Sequence, residues 1–120
     1  MKPAQNMSTD VLLVLTHLPD RAAAERLAQA LIEQRLAACV NIGAAVTSLY
    51  HWRGRVETAE EIPLAVKTTR AAYPKLEAAV RALHSYEVPE IVAIAVEQGL
   101  PAYLDWIAAE TKLSAPARKA

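Results

Sequence analysis

The 120-residue chain has the size of one domain, and its 53% hydrophobic and 22% charged residues, with no long polar tract, exclude wholesale disorder. Thirteen basic residues balance thirteen acidic ones, so no charge excess favours nucleic acid or an anionic membrane surface. A single cysteine, Cys39, cannot close an internal disulfide, which suits a reducing, cytoplasmic setting. Neither a secretory signal nor a bilayer-spanning apolar run is recognisable.

Residues 1–9 and 114–120 are polar and aperiodic and are expected to be flexible tails around a single domain over 10–113. Val11 to Leu15 is an apolar run too short for a helix, and predicts a central strand buried on both faces. Asp20 is placed to cap a helix from Arg21 to Leu36 that turns Ala24, Leu27, Ala28 and Leu31 to one side. From Val40 to Trp52 the hydrophobic period becomes two, Arg53-Gly54 supplies a tight turn, and Val56 to Thr68 resumes the alternation. Glu57, Glu60 and Glu61 mark a polar, bulged stretch in that second arm or a solvated edge, and are weaker candidates for gathering a hard cation. A second helix is expected over Ala71 to His84 with Pro74 in its first turn, a strand over Ile91 to Val96, and a final helix opened by Pro101 with Leu104, Ile107 and Ala108 inward.

The order β-α-β-β-α-β plus a helix predicts an α+β, ferredoxin-like sandwich with both crossover helices on one face of an antiparallel four-stranded sheet. A strand from Val40 to Trp52 reaches about 43 Å at about 3.3 Å per residue, roughly twice the usual length. An extended hairpin of that reach overruns its own sheet and exposes Leu49, Tyr50, Trp52 and Val56, a hazard that a partner subunit would remove. Tyr50 and Trp52 fall on one side of the strand and are the expected interface anchors. Short connections, three glycines, seven prolines and assembly together predict heat resistance.

Four stretches carry a family likeness: Leu36-Ala37-Ala38-Cys39-Val40-Asn41-Ile42, Ser48-Leu49-Tyr50-His51-Trp52-Arg53-Gly54-Arg55-Val56-Glu57, Val66-Lys67-Thr68-Thr69, and His84-Ser85-Tyr86-Glu87-Val88-Pro89-Glu90-Ile91. In this order, over about Val11 to Leu113, the chain resembles the CutA family of divalent-cation tolerance proteins. The resemblance implies a ferredoxin-like homotrimer similar in architecture to PII signalling proteins, a cytoplasmic location, and an association with copper and other divalent cations. It implies no established reaction. Where family members often carry His-Pro-Tyr or His-His-Pro-Tyr, this chain has His84-Ser85-Tyr86, and Thr16 stands where some members have a cysteine.

His84 is the leading metal-ligand candidate, beside the oxygen donors of Tyr86, Glu87 and Glu90; its bland alternative is a histidine interacting with the last carbonyls of a helix. Cys39 is a soft candidate ligand, with an inert, packed thiol as the alternative, and His17 and His51 read as isolated imidazoles. Lys67, Tyr86 and Glu90 could line an inter-subunit cleft for a small anionic ligand. No Gly-rich phosphate loop, Gly-x-Ser-x-Gly, His-Glu-x-x-His or Cys-x-x-Cys occurs, and no enzyme is expected, a small-molecule hydrolase being the weaker third reading. The expectation is a non-catalytic, copper- or divalent-metal-binding homotrimer with no required cofactor; the alternative is a PII-like sensor or scaffold for a small molecule or an unknown protein partner.

Overall fold

The computed structural model describes residues 10–112, so the two expected tails and position 113 lie outside the described residues. Eight elements follow in order: β1 Val11–Leu18, α1 Arg21–Glu33, β2 Cys39–Ile42, β3 Val46–Trp52, β4 Arg55–Thr69, α2 Tyr73–Leu83, β5 Val92–Ala95 and α3 Pro101–Glu110. All strand pairs are antiparallel, in the order β2-β4-β1-β5, with β3 also on β4. This is the mixed, ferredoxin-like architecture that the element order predicts.

Alternation in β1 puts Leu12, Val14, Thr16 and Leu18 on one face, where they meet Thr68, Val66, Leu64 and Ile62 of β4. Leu27 and Leu31 of α1 and Leu76 and Val80 of α2 close over that face and complete the main core. The reverse face is less covered than two-sided burial predicts. Leu13, Leu15 and His17 are half-buried there, and Val92 and Ile94 beside them remain 46% and 49% exposed. Helix α3 packs Leu104 and Ile107 on Val11, while Ala108 is exposed instead of inward.

Helix α1 begins where Asp20 accepts from the Ala23 N–H at 2.8 Å. It stops at Glu33, short of Leu36, because Arg35 turns into the left-handed region at φ 58° and Leu36 N–H reverts to Leu31 O. Arg35 then donates to the carbonyls of Ala109 and Lys112, tying the end of α1 to the end of α3.

The expected Val40–Trp52 strand is interrupted at 43–45. Between the Ile42–Leu64 and Val46–Glu61 pairs, three residues on one side face two on β4, which is a bulge. The bulge therefore lies opposite Ile62 and Pro63, and β4 runs unbroken through the three glutamates where a bulge was expected. Proline supplies the reason: Pro63 has no N–H to give the ladder, and its ring sits where a Gly43 side chain would be, with an ideal Cβ only 2.9 Å from Cγ. β2 and β3 still lie end to end along the same edge of β4. β1 stops at the Leu18–Ile62 pair, so Arg55 to Glu61 projects with β3 as a two-stranded ribbon. Its tip, Arg53-Gly54, has φ of 52° and 80°, the pair of positive angles that a tight hairpin turn needs.

Candidate functional site

Three parts of the chain meet beside this ribbon: the last residues of β1, the connection from α2 to β5, and the ribbon itself. They enclose an open groove of about 760 Å³ lined by His17, Ser48, Tyr50, Trp52, Glu61, Tyr86 and Glu90, among others. The strand period brings Ser48, Tyr50 and Trp52 to it together.

His84 caps α2 and is buried, 8% exposed, with its ring against that of Tyr86 at 4.6 Å between centroids. Its Nε2 lies 2.6 Å from the carbonyl oxygen of His17, and its Nδ1 accepts the Tyr86 N–H at 3.2 Å. A carbonyl only accepts, so the ring proton is on Nε2 and both nitrogens are occupied by backbone. Within one copy the His84 imidazole, expected from sequence as a metal ligand, fastens the start of the connection to the end of β1.

Tyr86 continues the network by donating its hydroxyl to Glu61 Oε2 at 2.9 Å. Burial, and then the hydrogen bond and charge of Glu61, push its phenol up to about 12. Glu90 holds His17 through Oε1 and Nδ1 at 2.8 Å. At the rim Arg53 reaches Glu87 at 3.1 Å while its guanidinium lies 5.4 Å above the Trp52 ring.

Cys39 and Lys67 are elsewhere. They face each other across β2 and β4, level with Leu13, and Lys67 donates to Asn41 Oδ1. His17 stands four strand positions further on, about 13 Å away. Within one copy, therefore, Cys39 is not brought to His84, nor Lys67 to Tyr86 and Glu90. The half-buried thiol has no His, Asp or Glu cage around it, and among the described residues no three His, Cys, Asp or Glu side chains gather to hold a metal ion. Glu61 and His17 are the site residues that sequence reading set aside; no local spacing links positions 17 and 90, which meet only through the sheet.

The family described as CutA1 divalent ion tolerance protein matches residues 12–110. The chain belongs to the CutA family. It is 50% identical to the divalent-cation tolerance protein CutA of Thermus thermophilus, over 82% of this chain and 96% of the relative. The solved structure of that Thermus protein superposes with a TM-score of 0.84 at 48% identity, covering 85% of this chain and 99% of the other. Mouse protein CutA is 44% identical over 74% of this chain, which spans half of the mouse protein. An Archaeoglobus fulgidus structure described as a periplasmic divalent cation tolerance protein CutA has a TM-score of 0.82 at 38% identity, over 85% and 99% of the two chains. Membership in the family carries divalent-cation tolerance as the general function, and among the described residues no helix is long and apolar enough to cross a membrane.

Proposed function

We propose that this CutA chain is a non-catalytic, cytoplasmic homotrimer that binds copper or another divalent ion at the groove beside its ribbon. The observation that carries the reading is the position of the groove. His17, Glu61, Tyr86 and Glu90 line this groove where the ribbon leaves the sheet, next to strand edges and apolar side chains that need covering. Leu49 and Val56 on that ribbon are 68% and 70% exposed in one copy. A neighbouring copy that covered them would also deliver donors to the groove, which answers the shortage of ligands in a single chain. Preference for Cu²⁺ follows the usual divalent order for nitrogen and oxygen donors. The cytoplasmic assignment rests on the lone cysteine, and fractionation of cells tests it against the periplasmic description of the Archaeoglobus relative.

Sedimentation velocity combined with calorimetric titration of Cu²⁺ and Zn²⁺ tests the proposal. A trimer that takes up Cu²⁺ more tightly than Zn²⁺ supports it; a stable monomer, or no uptake of either ion, overturns it. The size of the groove and the aromatic rings of Tyr50, Trp52 and Tyr86 favour a second reading, a PII-like sensor for a small molecule. A thermal-shift screen of metabolites on the metal-free protein separates it from the first.

A further inference from the structure

We infer that His17, positioned by Glu90, is the imidazole through which this chain takes hold of a divalent transition-metal ion, and that His84 serves only to position it. The inference rests on the metal-binding reading above and names the residue that performs it.

The argument begins with nitrogen atoms. A metal takes the lone pair of a neutral imidazole, so the ligand needs one ring nitrogen without another commitment. His84 has none, since Nε2 is spent on the His17 carbonyl and Nδ1 on the Tyr86 N–H. His17 differs in the partner it has. An ionised carboxylate can only accept, so the 2.8 Å contact with Glu90 Oε1 places the proton of His17 on Nδ1. Nε2 then carries the lone pair. A carboxylate behind the protonated nitrogen is the usual support of a metal-bound histidine: it fixes the tautomer and ring orientation and makes the other nitrogen a better donor.

Position agrees with chemistry. His17 lines the groove together with Glu61, Glu87 and Glu90, and its side chain keeps 24% exposure, enough for entry of an ion from solvent. The backbone carbonyl of this same residue accepts from His84, so the end of β1 is held from two sides: His84 grips the main chain and Glu90 the ring. One imidazole with no converging set of three donors makes an anchor whose remaining positions go to water, to groove oxygens or to another copy. Such a site takes Cu²⁺ ahead of Zn²⁺ and presents one histidine nitrogen per chain.

Long-range ¹H–¹⁵N spectra of the labelled full chain test this without any mutation. Before metal, His17 should show the Nδ1–H tautomer and His84 the Nε2–H tautomer; on adding Zn²⁺, His17 Nε2 should shift and the His84 pattern should persist. Calorimetry with Cu²⁺ should then show Glu90→Gln binding about 10- to 100-fold more weakly than the parent, and His17→Gln at least as much more weakly. A Zn²⁺ shift at His84 or His51 with His17 unmoved overturns the assignment, as does undiminished Cu²⁺ binding by folded His17→Gln. Absence of Cu²⁺ and Zn²⁺ binding by the parent overturns the metal-binding reading itself, and the assignment with it.

Discussion

The hydroxyl of Tyr86 donates to Glu61 Oε2 across 2.9 Å, joining the connection after α2 to the base of the projecting ribbon. The bond exists only while the phenol keeps its proton, and burial, followed by the hydrogen bond and charge of Glu61, raises the phenol to about 12. A raised value in the folded state stabilises the fold fully below the unfolded phenol value of about 10, and that contribution is lost as pH climbs through about 12. Urea midpoints measured between pH 9 and 12 should therefore fall across the upper part of this range. Glu61→Gln should bring the ultraviolet titration of Tyr86 downward but leave it above the ordinary value, because burial is the larger cause.

Trp52 is expected to anchor assembly. Trp52→Ala removes the ring under Arg53 and an apolar surface of the ribbon, and should weaken the proposed trimer by about 2 kcal/mol, roughly thirtyfold per contact site. Sedimentation over a hundredfold dilution range measures it. In the parent protein the unfolding temperature should be high and should rise with protein concentration, as mass action requires of a chain stabilised by its own copies. A midpoint independent of concentration would contradict both expectations.

Gly43→Ala should cost about 1–3 kcal/mol, since the new methyl would sit 2.9 Å from Pro63 Cγ, a ring atom with little freedom to move. Pairing it with Pro63→Ala should recover part of that loss. Denaturant unfolding of the two single variants and the double variant gives the coupling directly.

Thr16 is 1% exposed and its Oγ1 has no hydrogen-bond partner among the described residues. Thr16→Val keeps the shape and deletes the unsatisfied hydroxyl, so it should raise stability by about 1 kcal/mol. An unchanged or lowered urea midpoint would mean that the hydroxyl is satisfied by solvent.

The fold was legible because its elements announce themselves locally: Asp20 before an amphipathic run, Arg53-Gly54 between alternating arms, and Pro101 at the head of a helix. What local pattern could not carry was any feature set by a distant partner. The break at 43–45 is imposed by Pro63 across the sheet, while the sequence period runs straight through Ala44 and Val46. The early end of α1 is imposed by Arg35, a residue type that gives no warning of positive φ. The site divides in the same way. Tyr86, Glu90, Tyr50 and Trp52 stand out by residue type and do line the groove, whereas His17 and Glu61 gain their roles from partners 73 and 25 positions away.

Strand β4 has two halves with different histories. Its first half pairs with β3 through a turn of minimal length, and such hairpins close in about 1–10 μs. Its second half pairs with β2 and with β1, and the β1 contact, 44 to 58 positions away in sequence, must first meet the entropy of closing a longer loop. The ribbon can therefore exist before the core does, and a nascent chain offers its adhesive edge to other chains while its own sheet is incomplete. Refolding yield should depend on dilution early in the reaction, when premature pairing between ribbons competes with β1 for the completion of each subunit.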